Sequence, residues 1–173
     1  MAPPALRPFL PGDAVRVIAL FRASVDELTE DDYDADQRAA WASIADDDAA
    51  FVKRIGEDLA IVALLDGEIA GFATLKQVES LDMLYVHPDF ARRGVGAALA
   101  EAIEKLAGAR GALKLRVDAS DAARDFFAKR GYVAQSRNTV ECAGEWLGNT
   151  TMTKALATPA VDPRRDGATG RMQ

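Results

Sequence analysis

The apolar positions of this chain follow first one period and then another. Over residues 11–28, Ala14, Val17, Ile18, Phe21, Val25 and Leu28 recur every three to four places, which predicts a helix with one buried face. Asp34 followed by Gln37 has the form of a capping box and predicts a short second helix containing Trp41, with a third expected over 47–55. From Leu59 the spacing shortens. LAIVALL and EIAGFATL flank Asp66-Gly67, the dipeptide of a two-residue hairpin turn, so both read as strands. SLDMLYV, residues 80–86, is apolar on both faces except at Asp82, as a central strand would be.

Residues 94–107 then carry a full helical stripe, with Glu101 and Lys105 paired four apart on the wet side. A strand is expected over 113–117, and Ser120 can cap a helix whose stripe includes Ala123, Phe126 and Phe127 and which stops at Gly131. Strands near 132–141 and 146–156 would finish the sheet. Residues 158–173 lack any period and are expected to form a disordered tail, leaving one domain over 1–157.

Length and composition narrow the class. The chain has 173 residues, 49% of them hydrophobic, enough for one core and not for two. With one Cys, Cys142, and one His, His87, neither a disulfide framework nor a multi-His metal centre is expected, so no metal cofactor is assigned. A net charge of −6 argues against nucleic acid or an anionic membrane as partner. The opening residues have no apolar core and no run is long enough to span a bilayer, so a cytoplasmic protein is expected.

The charge is unevenly spread. Residues 26–48 carry ten acidic side chains against Arg38 alone, a local charge of −9. Such a segment reads first as a solvated helical face and second as an attractor for a cationic substrate. Residues 91–130 hold nine bases against five acids, a +4 island.

Inside that island lies the most informative stretch, where Arg92, Arg93, Gly94, Val95, Gly96 and Ala97 join the expected central strand to the best helix. Glycines let a backbone approach a ligand closely, and the first amides of a helix are unpaired donors at its positive end. This is a phosphate cradle, with Arg92 and Arg93 able to add charge-assisted bonds. A P-loop is excluded because no Gly-Lys-Ser/Thr occurs. A Rossmann-type nucleotide loop ranks second, with Asp118 as its acid, but Leu99 is too large and the connection too long.

Ala91-Arg92-Arg93-Gly94-Val95-Gly96, preceded by Leu84-Tyr85-Val86-His87-Pro88, resembles the acetyl-CoA signature of the GNAT superfamily of N-acetyltransferases, Gln/Arg-x-x-Gly-x-Gly/Ala, with Ala91 departing from it. A second match, Ser120-x-x-Ala123-x-x-x-Phe127-x-x-x-Gly131-Tyr132, keeps the family's Asn-x-x-Ala-x-x-x-Tyr-x-x-x-Gly-Phe spacing. The resemblance implies an α/β (α+β) fold with a mixed, mostly antiparallel central sheet, splayed at the middle and flanked by helices. It implies acetyl-CoA as donor and an amine acceptor, and a homodimer is common in the family. Leu84, Tyr85 and Val86 would pair with pantetheine, the Arg92 to Ala97 amides would hold the pyrophosphate, and Ser120, Ala123 and Phe127 would line the pantetheine arm.

An alkyl ammonium with pKa about 10 is free base in only about one part in a thousand at pH 7, worth about 4 kcal/mol, so a base is useful. Asp82 is the candidate: strict alternation puts it on one face with Leu84 and Val86, and a carboxylate in an apolar strand meets surroundings that favour proton uptake. Glu79 is the reserve. The Tyr that serves the family as general acid is Phe127 here, which leaves a non-catalytic CoA-binding or regulatory module as the competing reading. Tyr85 is expected on the face opposite Asp82, in the core. Trp41 is expected either to wall the acceptor pocket or to be buried, and His87, Cys142 and Trp146 read as structural.

Overall fold

A computed structural model describes residues 2–157; the expected tail, 158–173, lies outside the described residues. Seven strands form one sheet: β1 (Ala5–Pro8), β2 (Leu59–Leu65), β3 (Glu68–Lys76), β4 (Ser80–Val86), β5 (Lys114–Ser120), β6 (Val133–Cys142) and β7 (Glu145–Ala155), in spatial order β1-β2-β3-β4-β5-β7-β6. Every neighbouring pair is antiparallel except β4–β5. That exception sets the architecture. β4 and β5 meet only at Ser80↔Arg116 and Leu81↔Val117, and beyond these the strands separate.

Five helices cover the two faces. On one side α1 (Ala14–Leu28), α2 (Ala35–Ala42) and α3 (Asp48–Glu57) gather, with α1 and α3 packing Val17, Phe21, Phe51 and Ile55 against Val62, Phe72 and Met83 of the sheet. On the other, α4 (Val95–Ala109) and α5 (Arg124–Lys129) enclose a larger core with Leu99, Ile103, Leu115, Val117 and Met152. The expected elements are all present within a residue or a few of their anticipated ends. Asp66 and Gly67, with φ of 53° and 79°, form the expected hairpin turn, and Asp34 with Gln37 makes the reciprocal capping box.

β1 was not expected. Four residues bounded by prolines carry no periodic signal; pairing with β2 from Ala5↔Leu64 to Pro8↔Ile61 makes them a strand. Its anchor is Arg7, whose guanidinium donates to both oxygens of the buried Asp13 carboxylate at 2.7 and 2.9 Å, while the Leu10 amide donates to the same group. These bonds, Arg7 foremost, hold Asp13 below the ordinary carboxylate range. A depressed folded-state value means the stabilisation is present above the ordinary value of 3.8 and is lost as pH falls through the folded value. Thermal melts from pH 5 to pH 2.5 should therefore show wild type losing its advantage over Asp13→Asn; a gap constant across that window would refute the assignment.

The far side is tied by Glu104 of α4, which accepts from Arg130 at 3.1 Å, Lys154 at 3.0 Å and the Tyr132 hydroxyl at 3.1 Å. Burial and the adjacent carboxylate push the Tyr132 phenol far up, so it stays a donor.

Candidate active site

Where β4 and β5 part, a cavity of about 810 Å³ opens through the sheet. The β4 edge from Asp82 onward has no strand partner on that side, which leaves its backbone donors and acceptors facing the opening. The cavity continues from this edge to the start of α4. Gly94, the residue before α4, has φ of 82° and offers no side-chain cap, so the first-turn amides of Val95, Gly96 and Ala97 have no capping partner; intrahelical bonding starts with the Ala98 amide donating to Gly94 O. Arg92 also adopts a positive φ, 61°, turning the chain so that successive amides line one concavity. An open strand edge can pair with a chain of amides, and an uncapped helix end with a guanidinium beside it can hold an anion such as a pyrophosphate.

Most of the residues expected to hold the donor do line this cavity: Leu84, Tyr85, Val86, Arg92, Gly94, Val95, Gly96, Ala97, Ser120, Ala123 and Phe127. Arg93 does not. Its guanidinium reaches the hairpin turn at Asp66, 3.1 Å away, and lies over the Phe90 ring, while Ala91 takes a place on the wall. Ser120 Oγ accepts from the Ala123 amide at 3.2 Å, closing the turn into α5 and leaving its hydroxyl proton free among the described residues. Phe127 is 3% exposed and sits between Phe126 and Tyr132, so it belongs to the core as much as to the wall; Phe126 is the ring beside Gly96.

Asp82 lines the cavity at the apex of the splay, but not on the face expected. The β3–β4 register runs Leu75↔Leu81 and then Thr74↔Met83, so Asp82 is an extra residue in a β-bulge. The bulge breaks alternation. Leu84 and Val86 pack toward α4, whereas Met83 and Tyr85 pack toward α1 and α3, and Asp82 joins the latter side by accepting from Nε and Nη2 of Arg54 on α3, at 3.3 and 3.0 Å. Two expectations are thereby corrected: Asp82 does not share a face with Leu84 and Val86, and Tyr85 is not opposite Asp82. The apolar surroundings foreseen for Asp82 are replaced by a guanidinium.

Tyr85 packs on Phe21, Phe72 and Trp41, and its hydroxyl accepts from Trp41 Nε1 at 3.3 Å. Burial pushes its phenol up to about 12. A group this weakly acidic is a poor proton source for a thiolate of ordinary pKa about 8.5, so Tyr85 offers a hydrogen bond and does not replace the phenol missing at 127. Glu79, the reserve base, is outside the cavity. It is exposed in the β3–β4 turn, where Gln77 and Val78 adopt φ of 52° and 69° and carry the chain away from the opening.

Trp41 forms part of the cavity wall, stacked edge-on against Tyr33 with ring centroids 5.4 Å apart. Tyr33 closes the rear of that wall: its hydroxyl donates to Gly148 O at 2.6 Å and accepts from the Asp121 amide at 2.9 Å. Cys142 also lines the cavity, donating to Ala40 O, and burial pushes its thiol up. His87 Nδ1 accepts from the Asp89 amide and caps the turn after β4, as a turn residue should. Trp146 is 61% exposed and gives only its carbonyl, to Gln37.

None of the ten acidic side chains of 26–48 lines the cavity. Asp34 and Asp47 cap helices, and Asp26 and Asp46 face Arg38 and Arg22 across the surface. The segment is a solvated helical face. The sequence reading did not place Arg54 or Asn149 in the site, and it weighed Asp118 only as the acid of the Rossmann alternative. Only Asp118 left a signal, the polar position of the alternating LRVDAS.

A splayed mixed sheet with an open β4 edge leading to an uncapped glycine-opened helix is found here in a chain that comparison places in an acetyltransferase class. The family model described as "Acetyltransferase (GNAT) domain" matches residues 29–156, and the chain belongs to that family. It is 32% identical over 148 residues, 85% of this chain and 93% of the other, to the "Uncharacterized N-acetyltransferase YafP" of Escherichia coli K12. A crystal structure described as a GCN5-related N-acetyltransferase, "Aminotransferase, Class-II", from Rhodopseudomonas palustris superposes with a TM-score of 0.89 at 60% identity, covering 90% of this chain and 98% of that one. The PaiA N-acetyltransferase of Thermoplasma acidophilum in complex with coenzyme A shares the fold at a TM-score of 0.72 and 18% identity, over 90% of this chain and 99% of that one.

Proposed function

We propose that the protein transfers an acetyl group from acetyl-CoA to a primary amine of a small acceptor, directly, in a ternary complex. One observation carries this reading: the cavity runs without interruption from the open β4 edge to the uncapped amides of α4 on one side and to Asp82, Trp41 and Tyr85 on the other. A donor and an acceptor can thus meet inside the sheet.

The donor's pantetheine would lie along Leu84, Tyr85 and Val86 as an added strand, with Ser120 donating from the opposite lip. Val95, Gly96 and Ala97 would donate to the pyrophosphate, and Arg92 would neutralise it. The family supplies the precedent for such a complex, since the PaiA relative is described with coenzyme A.

Asp82 is the base. The acceptor ammonium gives a proton to its carboxylate, directly or through one water, and the freed nitrogen attacks the thioester carbonyl. A C–N bond forms and the C–S bond breaks with its electron pair leaving on sulfur, while the second proton of the attacking nitrogen passes to the departing sulfur, directly or through water, so that the amide and the free thiol are the products. The thiolate departs without a phenol at 127, because a thiol is an adequate leaving group near neutral pH. Arg54 holds the Asp82 carboxylate in place through its two hydrogen bonds, and the proton taken up passes to solvent between turnovers.

A panel of amines assayed by thiol release is the direct test. Turnover of at least one primary amine, with no release above thioester hydrolysis from its alcohol counterpart, is the expected result. CoA binding without turnover across a broad panel would overturn the enzymatic reading in favour of a non-catalytic module.

A further inference from the structure

We infer that Asp118 receives the ammonium end of the acceptor, and that the acceptor is a primary amine on an apolar body with no carboxylate beside the amine. The inference rests on the acetyltransferase reading above and adds the residue that selects the substrate.

The geometry of the splay places Asp118. β4 and β5 separate immediately after Leu81↔Val117, so the next residue on each lip is an aspartate, Asp82 on β4 and Asp118 on β5, and both line the cavity. They also share a side of the sheet. Val117 and Ala119 pack into the α4 core, which turns Asp118 to the opposite face, where α3 brings Arg54 to Asp82.

The Asp118 carboxylate is aimed. Thr151, its cross-strand partner, donates from Oγ1 to Oδ1 at 2.7 Å, and Thr151 Oγ1 itself accepts from Asn138 Nδ2 at 2.8 Å. Asn138 also donates to Asn149 Oδ1 at 2.9 Å, and Asn149 lines the cavity. This relay, in which Thr151 is buried and Asn138 and Asn149 are half-buried, fixes Oδ1, and among the described residues Oδ2 meets only Arg116 Nη2, at 3.5 Å. Arg116, whose Nη2 is also 3.3 Å from Oδ1, forms an ion pair in which both side chains are about half exposed, the kind that contributes little and exchanges readily, so an ammonium can displace it from Oδ2.

Asp82 is differently placed. Its side chain is 20% exposed and its charge is already met by Arg54, so it can take a proton but has no spare charge with which to draw a cation in. With the acidic segment facing away, Asp118 is left as the cavity carboxylate that can draw in an ammonium. The same charge repels an acceptor that carries a carboxylate next to its amine. The walls beyond, Phe21, Leu28, Trp41, Phe51 and Leu147, offer apolar contact, and the cation on this side, Arg54, is engaged by Asp82.

Calorimetry on the CoA-saturated protein, with 2-phenylethylamine and its hydroxyl counterpart 2-phenylethanol as probes, tests this. Wild type should bind the ammonium about tenfold more tightly, the size of one charge-assisted contact. Asp118→Asn, which keeps an oxygen for Thr151, should reduce that preference to about twofold or less while CoA affinity is unchanged, and Asp118→Glu should keep it. No preference in wild type, or an undiminished one in Asp118→Asn, overturns the inference. A lost preference together with lost CoA affinity in Asp118→Asn, unrepaired in Asp118→Glu, also overturns it, because the role is then structural. Thiol release separates the two proposals. If amines are acetylated but the preference ignores Asp118, only this inference falls; if the preference depends on Asp118 and no amine is acetylated, the acyl-transfer reading falls and the ammonium site stands.

Discussion

Asp82→Asn is expected to lower kcat with the best amine acceptor by about a hundredfold or more, the usual contribution of a positioned base, while the KM for acetyl-CoA holds. The split follows from location. Asp82 stands at the apex of the splay on the α3 side, away from the glycine-opened helix that would carry the pyrophosphate. On the proposed mechanism, loss of the carboxylate removes the proton acceptor and leaves the first turn of α4 untouched. Near-wild-type turnover in Asp82→Asn would shift the proton to a water chain, since Glu79 is too remote to inherit the role.

Gly71→Ala is expected to destabilise the fold by about 2–3 kcal/mol, lowering Tm by about 5–10 °C. A Cβ at Gly71 would stand 2.8 Å from Val95 Cγ1, 2.9 Å from Leu99 Cδ1 and 2.9 Å from the Tyr85 carbonyl oxygen. Side-chain tips can rotate away. The carbonyl cannot, because it belongs to β4, paired to β3 at Phe72↔Tyr85 and Gly71↔Val86. The strain therefore falls on the strand that presents the open edge and on the first turn of α4. Gly96 gives the contrast: a Cβ there meets Phe126 at 3.6 Å, ordinary contact, so Gly96→Ala should melt like wild type. A Gly71→Ala Tm within about 2 °C of wild type would contradict the packing argument.

Much of this arrangement is written in local periodicity. The stripe from Val95 to Leu106, the Asp66-Gly67 turn and the capping box at Asp34 are set by residues close in sequence, and the glycine loop is contiguous with the helix it opens. The rest depends on partners far along the chain. β1 is a strand because β2 is beside it, and nothing in SLDMLYV announces that β3 will skip Asp82 in its register. That single extra residue moved the candidate base to the other face and brought Tyr85 to its side. Arg54, twenty-eight positions before Asp82, shows no motif at all, and the pairing of Asp82 with Asp118 across the opening exists only because two separate strands diverge at the same level.

The two-pair contact between β4 and β5 has a mechanical meaning beyond making room. It divides the sheet into a four-strand leaf, β1 to β4, and a three-strand leaf, β5 to β7, joined by a short seam whose backbone bonding stops halfway. A ligand that bonds to the open edge lengthens that seam and fastens the leaves to each other. Donor binding and the cohesion of the sheet are then one event: whatever loosens the leaves weakens the donor's hold, and a bound donor resists their separation by the full free energy of its binding.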